Sequence, residues 1–124
     1  QFVAGFIGSP AMNFFKGRVE GGRFVGDKGL SLPVNGVKTG NAATPAVLGL
    51  RPEHIRIGDG GQPAKVHVIE PMGSETQVVA DIGGENVVCL FRERISSRPG
   101  DTINLTADPR QLHLFAADGG ARLN

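Results

Sequence analysis

Two carboxylates five residues apart are the first candidates for chemistry in this chain. Glu70 and Glu75 bracket the segment Glu70-Pro71-Met72-Gly73-Ser74-Glu75-Thr76. Paired carboxylates perform acid–base work when a pocket holds them beside a nucleophile, a substrate or a metal. Nothing in the neighbouring sequence supplies such a companion, and we assign no catalytic residue. The three histidines, His54, His67 and His113, are far apart and lack the His-x-x-x-His or His-Glu-x-x-His spacing that sets two ligands on one face, so no metal ligand is assigned either. Phosphate chemistry would need a glycine-rich loop ending in Gly-Lys-Ser/Thr. The nearest strings, Phe15-Lys16-Gly17 and Asp27-Lys28-Gly29, place the lysine before the glycine, and no cofactor-binding residue follows from them.

A second charged motif is Leu48-Gly49-Leu50-Arg51-Pro52-Glu53-His54-Ile55. Proline fixes its own φ and pushes the preceding residue toward extended backbone. A strand arriving through Leu50 must therefore end or bend, which leaves Arg51 and Glu53 at an exposed corner. Arg51 could make a bidentate contact to Glu70, to Glu75 or to a partner subunit, or it could be a solvated turn residue of small energetic weight. In the Glu70 to Glu75 segment, Pro71 cannot donate to a sheet ladder and Gly73 admits φ angles closed to other residues, so a bulge or hairpin loop is expected there, presenting Ser74 and two carboxylates.

These motifs need strands to position them. Glycine and proline, 19 and 8 residues, interrupt the chain too often for long helices. Thr76, Val78, Ala80 and Ile82 alternate with Gln77 and Asp81, and Ile103, Leu105 and Ala107 alternate with Thr102, Asn104 and Thr106; Leu112 and Leu114 continue the pattern. Gly83-Gly84 predicts a tight hairpin before the run Val87-Val88-Cys89-Leu90-Phe91. Pro99-Gly100 has the order of a type II turn. Asn35-Gly36 and Gly60-Gly61 are read as further reversals, residues 37–45 as an exposed connection, and residues 1–7 as a helix stopped near Gly8 and Pro10. The fold class is all-β, an OB-like barrel of short antiparallel strands from about residues 14–33 and 47–115, with a short N-terminal helical remnant. Periodicity alone admits a sandwich as well.

Composition bounds the partners. Thirteen basic and 12 acidic residues, a formal net charge of +1, are interspersed along the chain and form no basic face for nucleic acid. Seven phenylalanines without Trp or Tyr read as core rather than as a base-stacking platform. The single cysteine, Cys89, cannot form an internal disulfide and reads as a small buried hydrophobe. No apolar run approaches the roughly 18 residues of a membrane-spanning helix.

Three segments in fixed order carry a family resemblance: Phe6-Ile7-Gly8-Ser9-Pro10-Ala11-Met12-Asn13-Phe14, the Arg51-Pro52-Glu53 motif, and Ile69-Glu70-Pro71-Met72-Gly73-Ser74-Glu75-Thr76. Together they are similar to the C-terminal regulatory, TOBE-type domain of the MalK/UgpC-like ATP-binding subunits of sugar-importing ABC transporters. The resemblance implies that residues 1–13 follow an ATPase domain outside this sequence, which would bind ATP and Mg, and that residues 14–124 form the OB-like regulatory domain. It further implies a homodimer through this domain, membrane subunits reached through the ATPase domain, an inhibitory signalling protein as another partner, and a peripheral position on the cytoplasmic face of the inner membrane. Arg51, Pro52, Glu53, Glu70, Gly73, Ser74 and Glu75 are then structural or partner-contact residues. A rival within the same fold class is an oxyanion module for molybdate or tungstate, for which Ser74, Thr76, Ser96 and Ser97 are the available hydroxyls.

Overall fold

A computed structural model describes residues 12–34 and 43–124. Among the described residues, nine strands form two antiparallel sheets around one core. They are β1 (Asn13–Glu20), β2 (Arg23–Gly26), β3 (Ser31–Pro33), β4 (Thr44–Leu50), β5 (Ile55–Met72), β6 (Glu75–Ile82), β7 (Glu85–Phe91), β8 (Thr102–Ala107) and β9 (His113–Ala116). One sheet has the order β3-β2-β1-β4-β9 and the other β7-β6-β5-β8. The strands near each end of the chain therefore share one sheet, as the OB-like expectation required. Residues 1–7, read as helical, and the Asn35-Gly36 turn lie outside the described residues.

The alternation read from sequence is the burial observed. Val78, Ala80 and Ile82 of β6, Val87, Cys89 and Phe91 of β7, and Ile103 and Leu105 of β8 point into the core, where Phe15, Phe24, Leu48 and Leu114 meet them. Cys89 is fully buried, and burial pushes its thiol up to about 12, so it packs as an apolar side chain and is no nucleophile at neutral pH.

Two expectations need correction. Gly60-Gly61 does not reverse the chain: β5 runs through it, and residues 58–61 are looped out of the ladder, because Ile57 and Gln62 both pair with Leu105. Gly60 takes φ +77 within that excursion. Residues 37–45 are not all connection, since Thr44 and Pro45 already pair with Val19 and Arg18 in the β1–β4 ladder. A smaller bulge at His67 shifts the β5–β6 register between Val66 and Val68. It turns Val66 inward and leaves both His67 and Val68 outside.

Side-chain amides join the sheets where ladders stop. The Asn13 amide nitrogen donates to the Leu50 carbonyl at 3.0 Å and to the Val88 carbonyl at 2.9 Å, and its oxygen accepts the Val88 N–H at 2.9 Å. Asn13 thus ties β1 and β4 to the edge strand β7 of the other sheet. Gln62 accepts the Ser31 N–H at 2.9 Å, linking β5 to the edge strand β3. Asn124 bonds Leu114 and Leu112 along the edge of β9. Edges whose backbone groups are occupied in this way offer less to strand-on-strand association.

Candidate functional site

The Arg-Pro-Glu corner is built as its sequence requires. β4 ends at Leu50, Arg51 is extended (φ −75, ψ 136), and Pro52–His54 form one 3-10 turn before β5 begins. Pro52 is almost wholly buried, while Arg51 and Glu53 are exposed. Pro52 therefore anchors the corner, and the charges on either side of it face solvent. The contact expected from Arg51 to Glu70 or Glu75 is not formed: among the described residues Arg51 makes no ion pair, and Glu75 is approached by Arg92 at 4.0 Å instead.

At the other motif, β5 and β6 meet in a two-residue turn, Gly73-Ser74, closed by the Met72 and Glu75 pair. Gly73 has φ +73, and no residue other than glycine has positive φ among the described residues, so positive φ falls on the first turn position alone, as in a type II′ turn. Glu70, Gly73 and Ser74 are exposed, and Glu70 stands opposite Gln77. Of the rival's hydroxyls, Ser74 sits at this hairpin tip, Thr76 opposes Phe91, and Ser96 and Ser97 lie on the connection between β7 and β8.

The fold brings residues of both motifs into a common cleft of about 520 Å³. Glu53, His54, Ile55, Arg56 and Ile57 form one wall, and Leu90, Phe91, Arg92 and Glu93 form the other, with Glu75 beside Arg92. Ile55 and Phe91 are buried in the core behind it, and the exposed lining includes the charged Glu53, Arg56, Arg92 and Glu93. Arg92 is 92% exposed, so its pairing with Glu75 is screened and contributes about 0–1 kcal/mol.

Three histidine environments differ. His67 faces solvent. His54 has a buried Nδ1 with no hydrogen-bond partner among the described residues. His113, paired across the ladder with Gly49, is held below its ordinary value first by burial and then by the positive charges of Arg122, Arg51 and His54. Arg122 is itself seated 5.6 Å from the Phe115 ring centre. Arg122, Arg51 and His54 thus lie near enough to His113 to act on its charge.

Sequence reasoning flagged Glu53 and Glu75 but missed Asn13, Arg92 and Glu93 as parts of one locality. Asn13 carried a signal, since asparagine is unfavourable inside a strand unless its amide has a specific partner. Among the described residues, no group of three or more His, Cys, Asp or Glu side chains could hold a metal ion, and no helix is long and apolar enough to cross a membrane.

Comparison with known proteins places this architecture. Its fold resembles that of the cytoplasmic molybdate-binding protein ModG, with a TM-score of 0.69 over 89% of this chain and 98% of that one, at 15% identity, a likeness of fold alone. Residues 8–55 match the MalK OB fold domain, and residues 48–115 match the TOBE domain. The class is therefore an OB-type TOBE domain. The relatives narrow it. The ABC transporter ATP-binding protein y4oS of Sinorhizobium fredii is 44% identical over 125 residues, covering 98% of this chain and 34% of that protein. The sn-glycerol-3-phosphate import ATP-binding protein UgpC of Escherichia coli O1:K1 is 38% identical over 127 residues, covering 98% of this chain and 36% of that protein. The sulfoquinovosyl glycerol transport ATP-binding protein SmoE of Agrobacterium fabrum is 34% identical over 123 residues, covering 94% and 34%. The chain belongs to the TOBE-type domains that form the C-terminal part of ABC-importer ATP-binding subunits. It spans about a third of the length of these relatives.

Proposed function

We propose that this chain is the regulatory and dimerisation domain of an ATP-binding subunit that drives import of a sugar, a polyol or a glycerol phosphate. The observation that carries the reading is the match of almost the whole chain to one third of import ATP-binding proteins, two of which are named for glycerol derivatives. In this reading ATP and Mg bind an ATPase domain outside the sequence, that domain meets the membrane subunits, and the assembly sits at the cytoplasmic face of the inner membrane. The present domain associates with a second copy and offers its cleft to a signalling protein.

Its surface chemistry supports a binding role. Val68 and Met72 are 52% and 50% exposed on the outer face of β5, in register with Val79 and Glu75 of β6, and Val79 in turn opposes Val88 of β7. This row gives an apolar patch across three strands with charged neighbours, suited to an isologous contact. The cleft adjoins this row, since Glu75, the partner of Met72, also lines the cleft.

Titration calorimetry with Mg-ATP tests the division of labour. No binding heat is expected from this chain, because it contains no phosphate-cradling loop. Saturable micromolar binding at one site per chain would overturn it.

A further inference from the structure

Asn13 occupies a place in the fold that the proposed function does not use. Its three hydrogen bonds reach the last residue of β4 and the middle of β7, across 37 and 75 positions of sequence. Those two strands lead directly into the walls of the cleft: Leu50 is followed by the corner that carries Glu53 to Ile57, and Val88 is followed by Leu90 to Glu93. One side chain at the start of β1 therefore holds the root of each wall. The Val88 N–H and carbonyl lie on the edge of β7 that β6 does not cover, and the amide meets both of them, as a neighbouring strand would. The seat is shaped for this. A Cβ at Gly49 would come within 2.6 Å of the Met12 sulfur, so Gly49 leaves the space in which the residue preceding Asn13 packs.

We propose that Asn13 is a clasp that sets the width of the Glu53–Glu93 cleft. An asparagine amide both donates and accepts, so it can satisfy two carbonyls and one N–H at once. The ionised carboxylate introduced by Asn13→Asp could only accept and would turn charge toward two carbonyl oxygens; protonated, the same group recovers one donor. The geometry stands without the transporter reading.

The test is a distance distribution between spin labels on Glu53→Cys and Glu93→Cys in this chain, with Cys89 left in place because it is buried. Asn13→Ala should broaden and lengthen the distribution and speed exchange of the Val88 amide by about tenfold, the size of one lost hydrogen bond. Val19→Ala, a core truncation in the same strand, should leave the distribution unchanged at a comparable loss of global stability. Asn13→Asp should be broad at neutral pH and narrow again when the carboxyl is protonated, which a purely structural defect would not reproduce. An unchanged distribution in Asn13→Ala, equal broadening in Val19→Ala, or a pH-independent Asn13→Asp would each overturn the clasp. None of these readouts needs nucleotide or a second subunit, so they fail independently of the transporter reading.

Discussion

Strand β6 ends in a two-residue glycine turn on each side, and the two turns do opposite work. Gly73-Ser74 leads into it and Gly83-Gly84 leads out. Both open on a glycine of positive φ, Gly73 at +73 and Gly83 at +61, and the outgoing turn adds a second, Gly84 at +95, as a type I′ turn requires. Their surroundings differ more. A Cβ on Gly83 would run into the Lys28 backbone carbonyl, so this turn is packed against the chain between β2 and β3. A Cβ on Gly73 would meet nothing within 4 Å. The fold needs the outgoing turn as a packing element, whereas the incoming one is held only by its own backbone and stands beside the cleft through Glu75. A turn that the core does not constrain is free to serve a partner.

Substitution at the packed turn gives the largest effect. Gly83→Val combines a disfavoured φ with a backbone clash and should cost about 3 kcal/mol or more, read as a lowered denaturation midpoint. Gly73→Val carries only the φ penalty and should cost about 1–3 kcal/mol. Equal midpoints for the two variants would break the comparison.

The contrast between the turns could be read only partly from sequence. Gly83-Gly84 and Pro99-Gly100 were legible because a turn type demands particular residues at particular positions; Gly100 has φ +96, and the Asp101 N–H donates to the Arg98 carbonyl at 2.9 Å. Gly60-Gly61 carried the same local signal without a reversal, because Leu105 holds Ile57 and Gln62 to one partner strand, and that constraint lies more than 40 residues away. The core of β6, β7 and β8 was legible from period-two alternation. The cleft was half legible: proline chemistry exposed Glu53 and glycine chemistry exposed Glu75, while Arg92 and Glu93 at the end of β7 carried no local signal of what faces them. Asn13 needed partners at Leu50 and Val88 that no window of sequence joins.

The pH response sharpens the comparison between the half-buried His113 and the exposed charges of the cleft. His113 is depressed from its ordinary 6.5 by burial and by Arg122, Arg51 and His54. The unfolded chain therefore binds this proton first, so its contribution to stability is full above 6.5 and is lost as pH falls through the lower folded value. Unfolding free energy should decline with acidification in that window, and His113→Gln should remove that part of the slope. The smallest effect belongs to Arg92→Gln, about 0–1 kcal/mol and vanishing in high salt, since the pairing with Glu75 is exposed. A larger, salt-insensitive loss would mean that Arg92 structures the cleft rather than lining it.

Association of this domain with a second copy is the central functional claim, and light scattering over a wide protein concentration range tests it most directly. A reversible rise from monomer toward dimer is expected, weakened by Val68→Asp on the apolar row, because an isolated regulatory interface can be small when linked domains share the work. A strictly monomeric mass up to millimolar protein would contradict it, and a stable trimer or hexamer that binds molybdate would favour the oxyanion module instead.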